Sequence, residues 1–363
     1  MKRRQFLRAG VATALAAPGL AAPAIAQTAP QIKWRLASSY AKSLDALFGA
    51  SQTLCRYVAE ATDNGFQIQP YAAGELAPSR QALDAVTSGA VECAHTPLFF
   101  YSHKDPVLGL GSGLPFGLNA RHQLSWWMFG GGADLINGSL KKFNAYGMPA
   151  GSTGAQMGAW FKKEINTVED LKGLRFRVGA LGGPIFTRLG VQPLNLAHAD
   201  VYAALENGTI DAAEFICPHD DEKLGLVHVA KYNHYPCWWE SGGMVHLVTN
   251  LDRWNALPKS YQAIVARACD AANAWMLARY DAINPVALKR LIAAGAILRP
   301  FPQPVLDACY KAAKEYNAEL AVKDIHFKRA LDSANAFRKE EVPWWQISEH
   351  AYDGILIGNL GRA

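Results

Sequence analysis

The sequence GSTGAQMGAWF, at Gly151–Phe161, is the first of four stretches around which the chain is organised. The other three are GLRFRVG (Gly173–Gly179), LENGTIDAAEF (Leu205–Phe215) and PCWWESGG (Pro236–Gly243). Each of the first three places one polar side chain in an otherwise apolar, strand-like run: Gln156, Arg177 and Glu214. The fourth places Glu240 directly after two tryptophans. Because an unpaired charge is costly to bury, such groups are nearly always matched.

The charges of these four side chains predict a ligand site. One guanidinium faces two carboxylates and an amide, which leaves a negative surplus among the acids. A small anion on Arg177, with a cation between the two glutamates and Gln156, would balance both sides. Oxygen-rich sites of this kind suit hard cations such as sodium or calcium, and no pairing of thiolates or histidines indicates zinc.

Each of these residues also has an ordinary structural interpretation. Arg177 follows Arg175 at the period of a strand, so both point to one face, and an arginine in a strand is often an internal ion-pair partner. Its position just before Gly179 and the opening of a helix favours anion binding, because helix N-termini attract anions and the guanidinium fork matches a carboxylate. Glu214 could instead be a cap or salt-bridge residue, and Glu240 an edge-strand charge.

Aromatic residues near the predicted cleft are ambiguous between core and pocket wall. Ligands of α/β sheets lie beyond the carboxyl ends of strands, which places the turn His95–Tyr101 at the rim. Tyr101 and Phe100 could therefore line the pocket or pack in the core. The same two alternatives hold for the Trp238–Trp239 pair.

The hydrophobic periodicity predicts an α/β fold with two lobes. Strands alternate with helices, which indicates mainly parallel sheets, and a strand at Met244–Val248 should return to the first sheet. Separate helices are predicted at Leu257–Ala282 and about 284–296. The predicted boundaries are 1–26 for a targeting segment, 27–151 plus about 244–300 for lobe I, 152–243 for lobe II, and about 301–363 for C-terminal helices that pack on both lobes, dimerise, or both.

The first 26 residues are typical of an export signal. Four bases precede the alanine-rich stretch Ala9–Ala22, and Ala24–Ala26 resembles a small-x-small cleavage site. The run RRQFL, Arg3–Leu7, matches a twin-arginine (Tat) signal, although an ordinary secretory signal is an alternative. No cysteine follows the cleavage site to carry a lipid. We expect the mature protein to be free in a bacterial periplasm.

Composition and charge are those of a folded soluble protein and give no sign of nucleic-acid binding or of a membrane span. The chain is 50% hydrophobic and 18% charged, with a formal net charge of +5. The targeting segment carries four of the 36 bases and none of the 31 acids, so its removal leaves +1. This balance gives no case for nucleic-acid binding, and no later apolar run reaches the roughly 18 residues of a membrane span.

The six cysteines show no metal-binding spacing. Four of them, Cys55, Cys93, Cys269 and Cys309, lie in apolar patterns typical of small core residues. Cys217 and Cys237 would come close if Glu214 and Glu240 converge, so an oxidising compartment leaves open whether they form a disulfide.

Sequence motifs for catalysis or nucleotide binding do not occur. The chain lacks a G-x-S-x-G elbow, GxGxxG and GxxxxGK[ST]. An exported enzyme acting on a small organic acid remains the alternative to a binding protein.

The chain resembles the solute-binding proteins of tripartite ATP-independent periplasmic (TRAP) transporters. The resemblance lies in GAQMGAWFKKEINTVEDLKGLRFRVGA, ALENGTIDAAEF and PCWWESGG, and extends to WRLASS, AGELAPS and DDEKLG. It is greatest to the branch that binds 2-oxoacids such as pyruvate. An ABC-type receptor is disfavoured by this resemblance alone.

The resemblance implies a periplasmic binding protein fold, type II-like, with a hinge, crossing strands and long C-terminal helices. It implies that Arg177 pairs with the substrate carboxylate. We also expect Gln156, Tyr101 and Phe215 to contact the substrate. Gln156, Glu214, the carbonyl of Phe215 and Glu240 would hold a bridging cation. We expect sodium in preference to calcium, although the sequence leaves both open. Phe215 replaces a tryptophan common in the branch, which leaves the exact substrate open.

The same resemblance implies capture of a ligand rather than catalysis. Its expected partners are a small carboxylate, membrane permease subunits and a second copy bound through the C-terminal helix.

Overall fold

The computed structural model describes residues 30–179, 181–194, 196 and 200–360. The predicted export signal lies outside the described residues. Eleven strands are present in this part of the chain: β1 Ile32–Ser38, β2 Phe66–Tyr71, β3 Cys93–Pro97, β4 Ala145–Ser152, β5 Ala159–Phe161, β6 Arg175–Arg177, β7 Gln192–Leu194, β8 Ala212–Ala213, β9 Tyr232–Tyr235, β10 Met244–Asn250 and β11 Ile297–Pro300.

The α-helices of the described residues are α1 Leu47–Ala61, α2 Ala82–Thr87, α3 Val107–Ser112, α4 Ala120–Phe129, α5 Gly132–Leu140, α6 Gly183–Arg188, α7 Val201–Glu206, α8 Pro218–Leu224, α9 Leu251–Asn255, α10 Lys259–Ala293, α11 Gln303–Lys323, α12 Ile325–Ile347 and α13 Glu349–Leu360. Short 3₁₀ turns join several of them, including Ser79–Gln81 and Leu98–Tyr101.

The first lobe is built on a five-stranded sheet in the order β2-β1-β3-β10-β4. β1 pairs in parallel with β2 and β3, and β10 runs antiparallel between β3 and β4. The strand β10 therefore returns to the first sheet, as the sequence predicts. We use "first lobe" for residues 30–152 and 244–258.

The second lobe is built on a six-stranded sheet in the order β11-β9-β5-β8-β6-β7. We use "second lobe" for residues 153–243 and 297–300. The last segment departs from the prediction that residues up to about 300 belong to the first lobe. Its strand β11 pairs in parallel with β9, with Ile297 opposite Tyr232 and Pro300 opposite Tyr235. The sequence of a four-residue strand after a long helix does not indicate which sheet the strand joins.

The helix α10 packs against both lobes. Its 35 residues contact α1 and β4 of the first lobe and α8 of the second. The sequence predicts two helices here, but Pro285 lies inside one continuous helix. Proline removes one hydrogen bond of the helix, and the burial of Ala287 and Leu291, which follow Pro285, holds the last turns in place.

Buried apolar side chains form clusters within the lobes and one that joins them. The joining cluster brings Tyr40 and Leu47 of the first lobe against Trp160 and Phe215 of the second, with Met276 of α10 among them. The lobes are therefore packed against each other and not held by a linker alone. Within the described ranges no helix has the length and apolar character needed to cross a membrane.

Candidate binding site between the lobes

A cavity lies between the two lobes and contains most of the predicted site residues. Its volume is about 50 Å³. Because one water needs roughly 10–15 Å³ on this measure, the cavity accommodates a few water-sized groups and therefore a small solute. Its lining comprises Tyr40, Leu47, Arg80, Pro97, Phe99, Phe100 and Val245 from the first lobe, and Thr153, Gln156, Arg177, Gly179, Glu214, Phe215, Ile216, Glu240 and Gly243 from the second.

Arg177 and Glu214 are brought together by the pairing of β6 with β8. Arg177 lies opposite Ala213 in that parallel pair. Glu214 is the next residue after Ala213, so it lies beside Arg177. Its Nη1 donates to Glu214 Oε2 at 3.0 Å and to the main-chain oxygen of the same residue. Both side chains are buried. This arrangement supports both interpretations of Arg177 from the sequence, because it forms an internal ion pair and also faces the cavity.

Arg175, two residues earlier, has a different environment. Its guanidinium pairs with Asp211 at 2.7 Å, and its side chain is 42% exposed. Of the two arginines of β6, Arg175 therefore forms a surface ion pair and Arg177 lines the cavity.

Glu214 is held by donors from two sides. The main-chain N–H of Gly179 donates to its Oε2 at 3.1 Å. Burial raises the pKa of this carboxyl, whereas the charge of Arg177 and the bond from Gly179 lower it. The net direction is upward, so the pair does not fully offset the loss of solvation.

Glu240 lies on the segment between β9 and β10, with Gln156 beside it. Nε2 of Gln156 donates to Glu240 Oε1 at 3.1 Å and to Thr153 Oγ1 at 3.0 Å. Burial, and next the charge of Glu214, raise the pKa of Glu240 to about 8. A positive charge near these two carboxyls would relieve both effects.

The residues present fit a hard cation. Gln156 Oε1 is buried and accepts no hydrogen bond within the described part of the chain, so an amide oxygen is available beside the carboxylates of Glu214 and Glu240. A Cβ on Gly243 would fall 2.4 Å from Glu240 Oε1, so a larger residue there would displace this carboxylate. No group of three or more His, Cys, Asp or Glu side chains suited to a metal occurs among the described residues. A cation here would therefore depend on the amide of Gln156.

Phe215 and Tyr101 differ in their relation to the cavity. Phe215 is buried and lines it. Tyr101 does not line it, contrary to its prediction as a substrate contact. Its hydroxyl bonds to Thr96 Oγ1 at 2.8 Å and accepts from the N–H of Leu83 at 3.2 Å, inside the first lobe. The 3₁₀ turn Leu98–Tyr101 brings Phe99 and Phe100 to the cavity and leaves Tyr101 in the core.

Cys217 and Cys237 are both buried free thiols. The disulfide that the sequence left open is not formed. Cys217 Sγ instead lies 3.8 Å from the carbonyl oxygen of Thr153.

The cavity residues that sequence reasoning missed include Tyr40, Arg80 and Thr153. Tyr40 lies two residues after β1, near the strand end where a ligand is expected. Arg80 lies on a polar turn, where an arginine is ordinarily solvated, so its pattern gave no signal.

The geometry agrees with a known family of receptors. Residues 37–324 match the model of bacterial extracellular solute-binding protein, family 7. The chain belongs to this family. It is a solute-binding receptor of the TRAP type and not an enzyme, which confirms the resemblance seen in the sequence.

A curated relative covers almost the whole chain. It is the monocarboxylate 2-oxoacid-binding periplasmic protein of Nostoc sp. (strain PCC 7120), 45% identical over 360 residues, which are 98% of this chain and 99% of the relative.

Two solved structures share the fold and carry ligands. A TRAP transporter solute-binding protein of Bordetella bronchiseptica is 42% identical, with a TM-score of 0.89 over 92% of this chain and 99% of that one. It is a mixed-occupancy dimer with calcium and picolinate in one site and the other site apo. A TRAP periplasmic solute-binding protein of Pseudoalteromonas atlantica, 32% identical with a TM-score of 0.85 over 89% and 98% of the chains, holds sodium and pyruvate. These likenesses confirm the predicted two-lobed α/β fold.

Proposed function

We propose that this receptor binds a small 2-oxoacid such as pyruvate together with a cation, and delivers it to the membrane permease subunits of a TRAP transporter. The observation that carries the proposal is the convergence of Arg177, Glu214, Glu240 and Gln156 on one cavity of about 50 Å³. The ligands of the relatives support it, since they include pyruvate, with sodium or calcium beside the ligand.

The role proposed for Arg177 is to bind the ligand carboxylate. Only its Nη1 bonds to Glu214, so the remaining donors of the fork are available to an anion on the cavity side. Phe99, Phe100 and Val245 of the first lobe supply an apolar wall opposite this charged floor. A carboxylate with a short apolar end matches both surfaces.

The proposed cation ligands are Gln156 Oε1, Glu214, the carbonyl of Phe215 and Glu240. A bound cation would supply positive charge between the glutamates and the ligand carboxylate. In this proposal Gln156 makes two contacts: its amide nitrogen donates to Glu240, and its amide oxygen binds the cation. We propose sodium in preference to calcium.

Capture follows from the cavity being divided between lobes. A ligand that contacts both lobes binds the closed arrangement more tightly than an open one, and so stabilises closure. The closed receptor is the form that would dock on the permease.

The proposal also includes a homodimer. α13 contains no buried residue, and Tyr352, Ile355, Leu356, Ile357 and Leu360 on it are exposed. Such an apolar surface is typical of an interface, and a second copy of this chain covers it in the proposal. Export by the twin-arginine route to the periplasm completes the proposed assignment.

Calorimetric titration of the purified protein with pyruvate, in sodium chloride and in calcium chloride, tests the function. Saturable binding that requires one of these cations is expected. Arg177→Lys keeps a positive charge beside Glu214 but loses the planar fork, and should weaken binding at least tenfold. Arg175→Gln is the matched control on the same strand and should bind as the unaltered protein does. Equal binding by Arg177→Lys would show that the anion site lies elsewhere.

A further inference from the structure

Arg80 is the one cavity residue with a permanent charge that the proposed site does not use. It lies on the 3₁₀ turn Ser79–Gln81 of the first lobe and lines the same cavity as Arg177 and Glu214 of the second lobe. Its guanidinium carbon sits 4.8 Å from the centre of the Phe100 ring. In the part of the chain that the structure describes, it forms neither a hydrogen bond nor an ion pair.

The position of Arg80 is fixed by its backbone. Ser79 Oγ donates to the carbonyl of Ser39 at 2.7 Å, and Ser39 Oγ donates to the carbonyl of Ser79 at 2.7 Å. This reciprocal pair ties the turn to the end of β1. The stacking on Phe100 then holds the side chain against the cavity wall.

The charge of Arg80 interacts with the charged cavity residues Arg177 and Glu214. Desolvation by burial, and next the charge of Arg177, lower the pKa of Arg80, while the charge of Glu214 raises it. The three groups therefore interact electrostatically, and all of them line the cavity proposed for the ligand. Arginine remains charged at any ordinary pH, so its contribution is constant.

The formal charges around the cavity add to zero once Arg80 is included. With their carboxyls ionised, Glu214 and Glu240 contribute two negative charges, and Arg80 and Arg177 contribute two positive charges. A monocarboxylate with a monovalent cation preserves this balance. The same monocarboxylate with a divalent cation leaves one uncompensated positive charge in a largely desolvated space, which is costly.

We infer that Arg80 is a specificity-determining residue that favours a monovalent over a divalent cation as the partner of a bound monocarboxylate. The inference rests on the proposed function and adds to it the residue that selects the cation. Without Arg80, the same site would carry one net negative charge and be balanced by a divalent cation instead.

The competing role for Arg80 is direct binding of a second carboxylate. The small cavity argues against it, since a ligand long enough to reach from Arg177 to a second guanidinium needs more than a few water-sized groups of space. The two roles give different results with dicarboxylates.

The test measures the affinity for pyruvate by calorimetry in sodium chloride and in calcium chloride at equal ionic strength. In Arg80→Gln, the ratio of calcium-supported to sodium-supported affinity should rise about tenfold relative to the unaltered protein. Arg80→Lys retains the charge and should keep the original ratio. Arg253→Gln removes an exposed arginine of α9 that is not among the cavity residues, and should change nothing.

The outcomes separate the inference from the proposed function. Absence of pyruvate binding in both salts would defeat the proposed function itself. Binding in both salts with a ratio that Arg80→Gln leaves unchanged would overturn only the role of Arg80. Tighter binding of 2-oxoglutarate than of pyruvate, lost in Arg80→Gln, would overturn it in favour of a second carboxylate site.

Discussion

Asp45 of the first lobe accepts a hydrogen bond from Nε2 of His219 in the second lobe at 2.8 Å. Lys223 also pairs with Asp45, and Arg279 of α10 lies 3.4 Å from its other oxygen. Two cations, Lys223 and Arg279, and the ring of His219 thus meet one carboxylate of the first lobe. These partners hold the pKa of Asp45 well below its ordinary value, against the opposing effect of burial.

This contact gives a prediction about ligand affinity. Asp45→Asn removes the charge that joins the lobes, so the arrangement seen here becomes less favourable relative to an open one. Because the Asp45 side chain is 42% exposed, the effect is modest, about three- to fivefold weaker pyruvate binding by calorimetry. Asp84→Asn is the matched control, since Asp84 pairs with Lys104 inside the first lobe. An equal loss in both variants would show that the inter-lobe contact has no special role.

A second prediction is that the buried carboxyl of Glu240 serves binding rather than folding. Glu240→Gln is isosteric and keeps an acceptor for Gln156. In thermal unfolding without ligand, its free energy of unfolding should equal or exceed that of the unaltered protein, because an amide avoids the cost of either burying a carboxylate or protonating it.

The same variant should lose stabilisation by ligand. At a pyruvate concentration of about 100 times Kd, with sodium present, the unaltered protein should gain about 2.7 kcal/mol, and Glu240→Gln close to nothing. Glu222→Gln, which alters a surface pair with Arg290, should retain the gain. A full gain in Glu240→Gln would remove Glu240 from the site.

A third prediction concerns the dependence of stability on pH. Neither ring nitrogen of His246 has a hydrogen-bond partner among the residues described. Burial, and next the nearby His95, lower the pKa of His246 to about 3 from 6.5. The unfolded chain therefore binds a proton that the folded chain does not between these values. The free energy of unfolding should fall as the pH drops below about 6.5, by up to about 1.4 kcal/mol per pH unit for this group.

His246→Phe tests this dependence, because the ring already packs on Trp127 at 4.9 Å. Urea unfolding at several pH values should show a shallower acid loss in this variant. His95 and His234, whose pKa values burial lowers to about 4, should contribute to the loss that remains. His103→Gln changes an exposed histidine and should leave the original slope. An unchanged slope in His246→Phe would contradict the assignment.

A fourth prediction concerns the proposed dimer. Ile357, 70% exposed on α13, lies in the surface that a second copy should cover. Ile357→Glu should convert the dimer to a monomer in light scattering coupled to size-exclusion chromatography, since a charge is costly to bury at an apolar contact. Val322→Glu places the same charge at an exposed position of α11 and should leave the dimer intact. A monomeric unaltered protein would refute this part of the proposal.

Much of the candidate site could be predicted because it breaks a local pattern. Arg177 and Glu214 are charged residues in apolar strands, and the cost of burying them required partners, which the structure supplies by pairing β6 with β8. The alternation of strands and helices likewise predicted the α/β class. These inferences needed only local sequence and one energetic rule.

The remaining features depend on contacts that local sequence does not encode. Arg80 is unremarkable on a polar turn, and only the packing of the lobes places it in the cavity. Tyr101 follows a strand end as a ligand contact would, but a 3₁₀ turn directs it inward. A proline normally ends a helix, but tertiary packing keeps α10 continuous through Pro285.

The continuity of α10 limits how the protein can be divided. At 1.5 Å per residue its 35 residues span about 52 Å, and its buried Met276 belongs to the apolar cluster shared by both lobes. A fragment that contains only one lobe would lose either this helix or the surface that the helix covers. The two halves therefore form one cooperative folding unit, and neither half expressed separately would keep an intact interior.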